Sequence, residues 1–420
     1  MSIAAIKGMN DILPGEVETW QFLERCAREV FSIYGFAEIR TPIPEKTELF
    51  NRSIGETTDI VEKEMYSFRD KSDHSLTLRP EGTASVMRAF IQHQLQNQDS
   101  INKLYYLGPM FRYERPQKGR YRQFHQLGVE ALGVEDARID AQVLAMLLHY
   151  FQRIEIGSLS LQINSLGCPK CRPAYRQALI TYLEQRLESL CPECQRRYRT
   201  NPLRVLDCKV ESCQTATAVA PAVIEHLCSA CDEHFAEVKQ HLETLQLPFS
   251  VNPRMVRGLD YYVRTTFELV TDRLGAQNAV AAGGRYDGLV ESLGGPALPG
   301  IGFAIGLERL VLLLSEQAVA APAPQLFIAA LGEAAGAQAF VLMARLQRQG
   351  MRTEIDYQGR SLKAQMRRAN RMQAAYTLIL GEDELASGKA QLKRMADGSQ
   401  VAVAIDDLAA IQQQVQSTST

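Results

Sequence analysis

The sequence predicts an α+β N-terminal domain whose mostly antiparallel sheet is flanked by helices, with a helical insertion inside it, followed by a separate C-terminal α/β domain. Three observations predict this. At 420 residues the chain is longer than one hydrophobic core usually serves, so two or three domains are expected. Through residues 1–317 strand-like segments recur among helices without the regular strand and helix alternation of a doubly wound sheet, which favours antiparallel pairing. After an uncharged stretch rich in Ala and Pro, the linker 318–324, buried strand patterns and helices do alternate through 325–420, as expected of a small α/β domain with a largely parallel sheet.

Taken in order, Trp20, Leu23, Ala27, Val30, Phe31 and Tyr34 repeat at three- and four-residue steps and predict a helix from residue 16, ended by Gly35. The stretch 36–43 reads as extended, because the residue before Pro42 is pushed out of the helical region. Strands are expected at 64–68, 75–78 and 104–112, and helices at 83–94 and 139–151. From 167 to 247 the texture changes to cysteine pairs and long helical stretches, the mark of an inserted subdomain. Strand character returns at 255–270, 278–282 and 301–305, and an apolar helix follows at 307–314. Beyond the linker, strands at 326–331, 352–355 and 376–380 are separated by helices at 335–349 and 361–372.

Composition narrows the class. Apolar residues at 46% and charged residues at 22% describe an ordinary globular chain. A net charge of -2 removes any global attraction to nucleic acid or a membrane surface, so such a partner must be met by a local patch. The best apolar run, 300–314, is broken by Glu308 and Arg309 and is too short to span a membrane. Residues 1–16 lack the apolar core of a secretory signal, so a cytoplasmic location is expected. Eight of the nine cysteines lie between Cys168 and Cys231, and in a reducing compartment such clustering points to metal ligation more than to disulfides.

The most informative segment runs from 104 to 132. Two strands flank a basic turn that holds Pro116 and Gly119. Alternation along a strand puts Arg112 and Glu114 on one face of the first, and Phe124, Gln126, Gly128 and Glu130 on one face of the second. If the register brings these faces together, a cation, two carboxylates, an amide and an aromatic ring project from one surface. Such a set can clamp a nucleotide, with Arg on phosphate, Glu on an exocyclic amine and the ring on the base.

This arrangement resembles motif 2 of the class II aminoacyl-tRNA synthetases. The glycine-spaced stretch 300–309, ending in Glu308-Arg309, resembles motif 3, and Tyr34 to Pro42 resembles motif 1, whose proline lies at the family's dimer interface. Arg257-Gly258-Leu259-Asp260-Tyr261-Tyr262 and Gly283-Gly284-Arg285-Tyr286-Asp287-Gly288-Leu289 resemble the two signatures peculiar to histidyl-tRNA synthetases. So do Gly8-Met9-Asn10-Asp11 and Arg79-Pro80-Glu81-Gly82-Thr83. In order and spacing the likeness covers nearly the whole chain.

The resemblance implies a class II catalytic domain (1–317) and an anticodon-binding domain (325–420). It also implies a site that makes histidyl-adenylate from L-histidine and ATP, with Mg2+ on the phosphates, then passes histidine to the 3' end of its tRNA. Glu81, Thr83 and Gln126 would hold the α-ammonium, and Glu130 and Tyr262 would meet the imidazole at opposite nitrogens, with Tyr261 beside them. Arg112 would lie on the α-phosphate and border the histidine, Glu114 would meet the adenine amine, Phe124 its face, and Arg309 the γ-phosphate. Arg257 would bridge the α-phosphate and the histidine carboxylate, so that Arg257, Arg112 and Arg309 stabilise the charge that grows in the transition state. A homodimer is implied through Pro42.

For tRNA, the family implies that the motif 2 loop, with Arg115, Gln117, Lys118, Arg120 and Arg122, meets the acceptor end. In the C-terminal domain Lys363, Arg367 and Arg371 recur every four residues, and no acidic residue occurs from 358 to 381. The cysteines supply two sets of four thiolates, enough for two structural Zn2+ sites: Cys168, Cys171, Cys191, Cys194, Cys208, Cys213, Cys228 and Cys231. Spacing suggests pairing the first two Cys-x-x-Cys units. One unbroken helix over 174–190 would hold them about 25 Å apart, so either that helix breaks or the pairs are partnered differently. A rival reading is the regulatory subunit of ATP phosphoribosyltransferase, which resembles the synthetase catalytic domain without the anticodon domain. A second is a zinc-dependent nucleic-acid-binding module without catalysis. The retention of Arg112, Glu130, Arg257, Tyr262 and Arg309 favours the enzyme.

Overall fold

The computed structural model describes residues 3–55, 58–274, 278–314 and 323–416. Most of the expected linker, 318–322, lies outside the described residues. The chain divides into two compact units, residues 1–319 and 320–420.

The first unit is built on an eight-stranded sheet in the order Ala37–Glu38, Asn102–Phe111, Gln123–Leu132, Gly300–Gly306, Ala279–Arg285, Val263–Val270, Ser160–Ser165, Ser250–Val251. The five inner pairings are antiparallel, and only the two outermost are parallel. Strand alternation divides its faces. Leu127, Val129 and Ala131 join a core with Trp20, Leu23 and Phe31 of the helix Val17–Ile33 and Leu144 and Leu147 of the helix Ala137–Arg153. Gln126, Gly128 and Glu130 therefore face the other way. There a second core joins Val86, Met87 and Phe90 of the helix Thr83–Gln92 to Tyr106, Tyr262 and Tyr286 and to Tyr175, Leu179 and Leu183 of the insertion. The site sits on this face.

The first helix forms where its apolar stripe predicts. Gly35 ends it at φ +79°, where a side chain would be strained, and the Phe36 amide returns to the Phe31 carbonyl at 3.0 Å. Two expected strands are shorter than their patterns. The 36–43 stretch pairs only at Ala37–Glu38, and the 255–270 stretch pairs only from Val263. Residues 255–262 form instead an irregular approach to the site. The strand Ser160–Ser165 carried no expectation; its buried Leu161 and Ile163 are too short a pattern to stand out.

In the second unit the strand order is Thr353–Ile355, Leu326–Ala330, Tyr376–Leu380, Lys389–Arg394, Gln400–Ala404. The first three are parallel, as expected, but the last two add antiparallel, so the sheet is mixed rather than largely parallel. Lys389, Gln391 and Lys393 line one face of the first of these strands, and the second is exposed at every residue but Val403, so neither reads as a buried strand. The unit has its own core, with Leu326, Ile328, Leu342, Leu378 and Ile411. Among the described residues no helix is long and apolar enough to cross a membrane.

Candidate active site

A cavity of about 500 Å³ opens on the polar face of the sheet. Glu81, Thr83, Arg112, Glu114, Phe124, Gln126, Glu130, Arg257, Tyr261, Tyr262 and Arg309 all line it, so every residue expected for the amino acid and the nucleotide reaches one space.

Its floor is acidic and almost dry. Glu130 lies opposite Gly302 in the antiparallel register, and a Cβ on Gly302 would fall 2.2 Å from the Glu130 carboxylate. Only glycine leaves room there. Glu130 is 1% exposed; one oxygen accepts from Thr83 Oγ1 at 2.7 Å and the other from the Tyr286 hydroxyl. Burial pushes its carboxyl up to about 8, against the two hydroxyl donors and with Glu81 adding to the rise. Glu81 accepts the amides of Thr83 at 2.7 Å and Ala84 at 2.8 Å at the start of the Thr83–Gln92 helix, and burial raises its carboxyl too. Gln126 Oε1 is buried without a hydrogen-bond partner among the described residues. The ring of Tyr106 fills the space that side chains at Gly82 and Gly128 would need.

One wall is aromatic. The rings of Tyr261 and Tyr262 stand 4.7 Å apart, and the Arg257 guanidinium lies 5.1 Å from the Tyr262 ring. Arg257 is held by Glu268 at 2.6 Å, and the insertion reaches in through Arg172, which donates to the Tyr262 carbonyl.

The other end is cationic. Arg112 Nε donates to the Pro80 carbonyl at 2.8 Å, while its guanidinium lies 5.2 Å from the Phe124 ring. Arg309 donates to the Ala279 carbonyl; burial, then the neighbouring Arg120 and Arg112, lowers its pKa. Arg112, Arg120 and Arg309 thus bring three guanidiniums to this end of the cavity.

The basic loop divides. Arg115, Gln117 and Lys118 are exposed, whereas Arg120 turns into the cavity and ion-pairs with the buried Glu114. Arg122 bonds the Glu114 carbonyl at 3.2 Å and lies 4.0 Å from the Tyr113 ring. In the second unit Lys363, Arg367 and Arg371 are exposed on the helix Leu362–Arg371, while Arg368 is tied to Asp356 at 3.2 Å.

Glu268, Tyr286, Tyr106 and Arg120 line or shape the cavity without having been expected to. Tyr286 stood inside the Gly283 to Leu289 segment, so its signal was present; Glu268 and Tyr106 carried none. That segment is locked by Arg285, which binds Asp140 at 2.7 Å with both side chains fully buried, and caps the Glu135 carbonyl at 2.8 Å.

The cysteines form two quartets: Cys168, Cys171, Cys228 and Cys231, and Cys191, Cys194, Cys208 and Cys213. This corrects the pairing that spacing suggests. The helix Arg172–Glu184 does stop short of Cys191, yet each Cys-x-x-Cys unit still takes a later partner.

The model of the histidyl-tRNA synthetase family matches residues 8–310, and that of an anticodon-binding domain matches residues 325–414. A histidine--tRNA ligase of Syntrophotalea carbinolica is 67% identical over 408 residues, 97% of either chain. One from Geobacter sulfurreducens is 64% identical over 401 residues, 96% of this chain and 97% of the other. The crystal structure of apo S. aureus histidyl-tRNA synthetase superposes with a TM-score of 0.82 at 38% identity, covering 98% of this chain and 99% of that one. The antiparallel sheet is thus that of a class II aminoacyl-tRNA synthetase. Within that class, the chain belongs to the histidyl-tRNA synthetase family.

Proposed function

We propose that this cavity joins L-histidine to the α-phosphate of MgATP and then passes the histidyl group to the 3'-terminal ribose of its tRNA. A carboxylate oxygen of histidine attacks the α-phosphorus in line, the bond to the bridging oxygen breaks, and pyrophosphate leaves with that electron pair. The chain positions and neutralises rather than reacting covalently. Glu81, Thr83 and the unpartnered Gln126 oxygen accept from the α-ammonium. Glu130 and Tyr262 take the imidazole, with Tyr261 beside it. Arg112 and Arg257 meet the α-phosphate and the carboxylate, Arg309 the γ-phosphate, Phe124 the adenine face and Glu114 its amine. Mg2+ enters with the nucleotide as part of the substrate.

The observation that carries this reading is the lining of one cavity, which brings the buried acceptors Glu81, Gln126 and Glu130 together with the guanidiniums of Arg112, Arg257 and Arg309 and the Phe124 ring. The same reading assigns Arg115, Gln117 and Lys118 to the acceptor end of tRNA, with Arg120 and Arg122 supporting that loop, and Lys363, Arg367 and Arg371 to the anticodon arm. It takes the protein as a cytoplasmic homodimer, with Pro42 at the subunit interface. The regulatory reading is not favoured, because residues 325–414 match an anticodon-binding domain and relatives covered over 97% of their length are histidine--tRNA ligases. Histidine-dependent exchange of pyrophosphate into ATP tests the assignment. It is expected with histidine alone among the amino acids; no exchange, or equal exchange with others, refutes it.

A further inference from the structure

The inserted segment poses a mechanical question. Three of its helices, Pro192–Arg197, Leu203–Leu206 and Glu211–Ala216, have 6, 4 and 6 residues. Helices this short do not persist without tertiary support. All three meet at sulfur: Cys191 precedes the first, Cys208 follows the second and Cys213 lies within the third. At the base of the insertion, Cys168 follows the Ser160–Ser165 strand, Cys171 precedes the Arg172–Glu184 helix and Cys228 precedes the Ser229–Thr244 helix. Gly167 turns there at φ +63°, and a Cβ on it would fall 2.7 Å from that of Cys171.

We propose that both quartets are structural zinc sites, each holding one Zn2+ by four cysteine thiolates. A tetrahedral ion with Zn–S bonds of about 2.3 Å sets its sulfurs about 3.8 Å apart. Cys168 and Cys171 stand 3.7 Å apart, Cys168 and Cys228 3.9 Å, and Cys191 and Cys208 3.9 Å, and in each quartet all four sulfurs lie within 4.8 Å of one another. A disulfide requires about 2.05 Å, and it joins two sulfurs, whereas Cys168 stands almost equally far from two others. In each quartet a backbone amide points at a sulfur, Cys228 N to Cys171 Sγ and Cys191 N to Cys213 Sγ, each at 3.1 Å, the outer support that a coordinated thiolate receives. The first site closes the chain from 168 to 231 upon itself, and a cross-link over so long a loop removes much of the unfolded chain's freedom. The second ties together three helices of six residues or fewer.

The full-length protein, expressed with trace metals and purified without added zinc or chelator, is expected to carry about two zinc ions per chain by mass spectrometry. The double variants Cys168→Ser/Cys228→Ser and Cys191→Ser/Cys208→Ser should each lose one ion and keep the other. Less than about half an ion per chain in the unaltered protein overturns the proposal. A count near one, lost in only one double variant, overturns the site whose variant leaves it unchanged. Should a variant not fold, the unaltered protein made in cobalt-supplemented medium decides. Sulfur-to-cobalt charge-transfer bands with intense tetrahedral visible absorption are expected, and bound cobalt without them overturns the assignment.

Discussion

Glu130 is held between the Thr83 and Tyr286 hydroxyls with almost no solvent, and that environment makes its protonation a property of the fold. Its ordinary value of 4.5 rises to about 8. Between those values the unfolded chain has lost a proton that the native carboxyl keeps, so stability falls as pH rises through the window and is fully present only below it. Replacing the carboxyl removes the effect. Glu130→Gln should therefore melt progressively higher relative to the unaltered protein from pH 5.5 to 7.5, by about 1.4 kcal/mol per pH unit at most. A constant gap in calorimetric melting temperature would contradict this. In the proposed reaction Arg257, fixed by Glu268 and 5.1 Å from the Tyr262 ring, meets the charge that grows during adenylate formation. Arg257→Ala should lower histidine-dependent pyrophosphate exchange about 10²- to 10³-fold while leaving tRNA affinity within about twofold; near-normal exchange removes its role. At this scale much was legible in advance. Glu130, Gln126 and Phe124 share a face because alternate residues of a strand must. Glu268 and Tyr106 escaped notice because nothing adjacent in sequence marks them.

Elements with a long apolar stripe formed where the pattern placed them, as the helices Val17–Ile33, Ala137–Arg153 and Leu307–Leu314 show. The failures were segments whose residues answer to a site or an edge. Residues 255–262 carry strand-like composition, but Arg257, Tyr261 and Tyr262 must all reach the cavity, which a pleated strand with alternating faces cannot allow. What steadies this irregular stretch comes from the insertion: Arg172, beside Cys171, donates to the Tyr262 carbonyl. Arg172→Ala should raise KM for histidine several-fold, about 1 kcal/mol for a lost charge-assisted bond, with KM for ATP little changed. Equal rises for both substrates would point to general loosening instead.

Each of the two units buries a core of its own, so each is expected to fold alone. A truncated chain of residues 1–319 should keep histidine-dependent pyrophosphate exchange and lose tRNA charging efficiency about 100-fold or more, because the second tRNA contact adds its binding only when tethered. Steady-state kinetics of both reactions on the truncated and full chains checks this; equal losses in both would mean that the first unit does not stand alone.

The amino-acid sequence by itself determined the two-domain plan, the mostly antiparallel sheet, the family and the residue types of the cavity. These depend on composition, on periodicity and on short motifs, all of which are local. Only the tertiary structure decided which cysteines meet, that Arg120 turns inward to Glu114, that Gly302 makes room for Glu130, and that Arg285 is spent on Asp140. Each of these joins residues through strand register, loop closure or a turn, where free energy is shared among distant contacts and no repeating pattern records it.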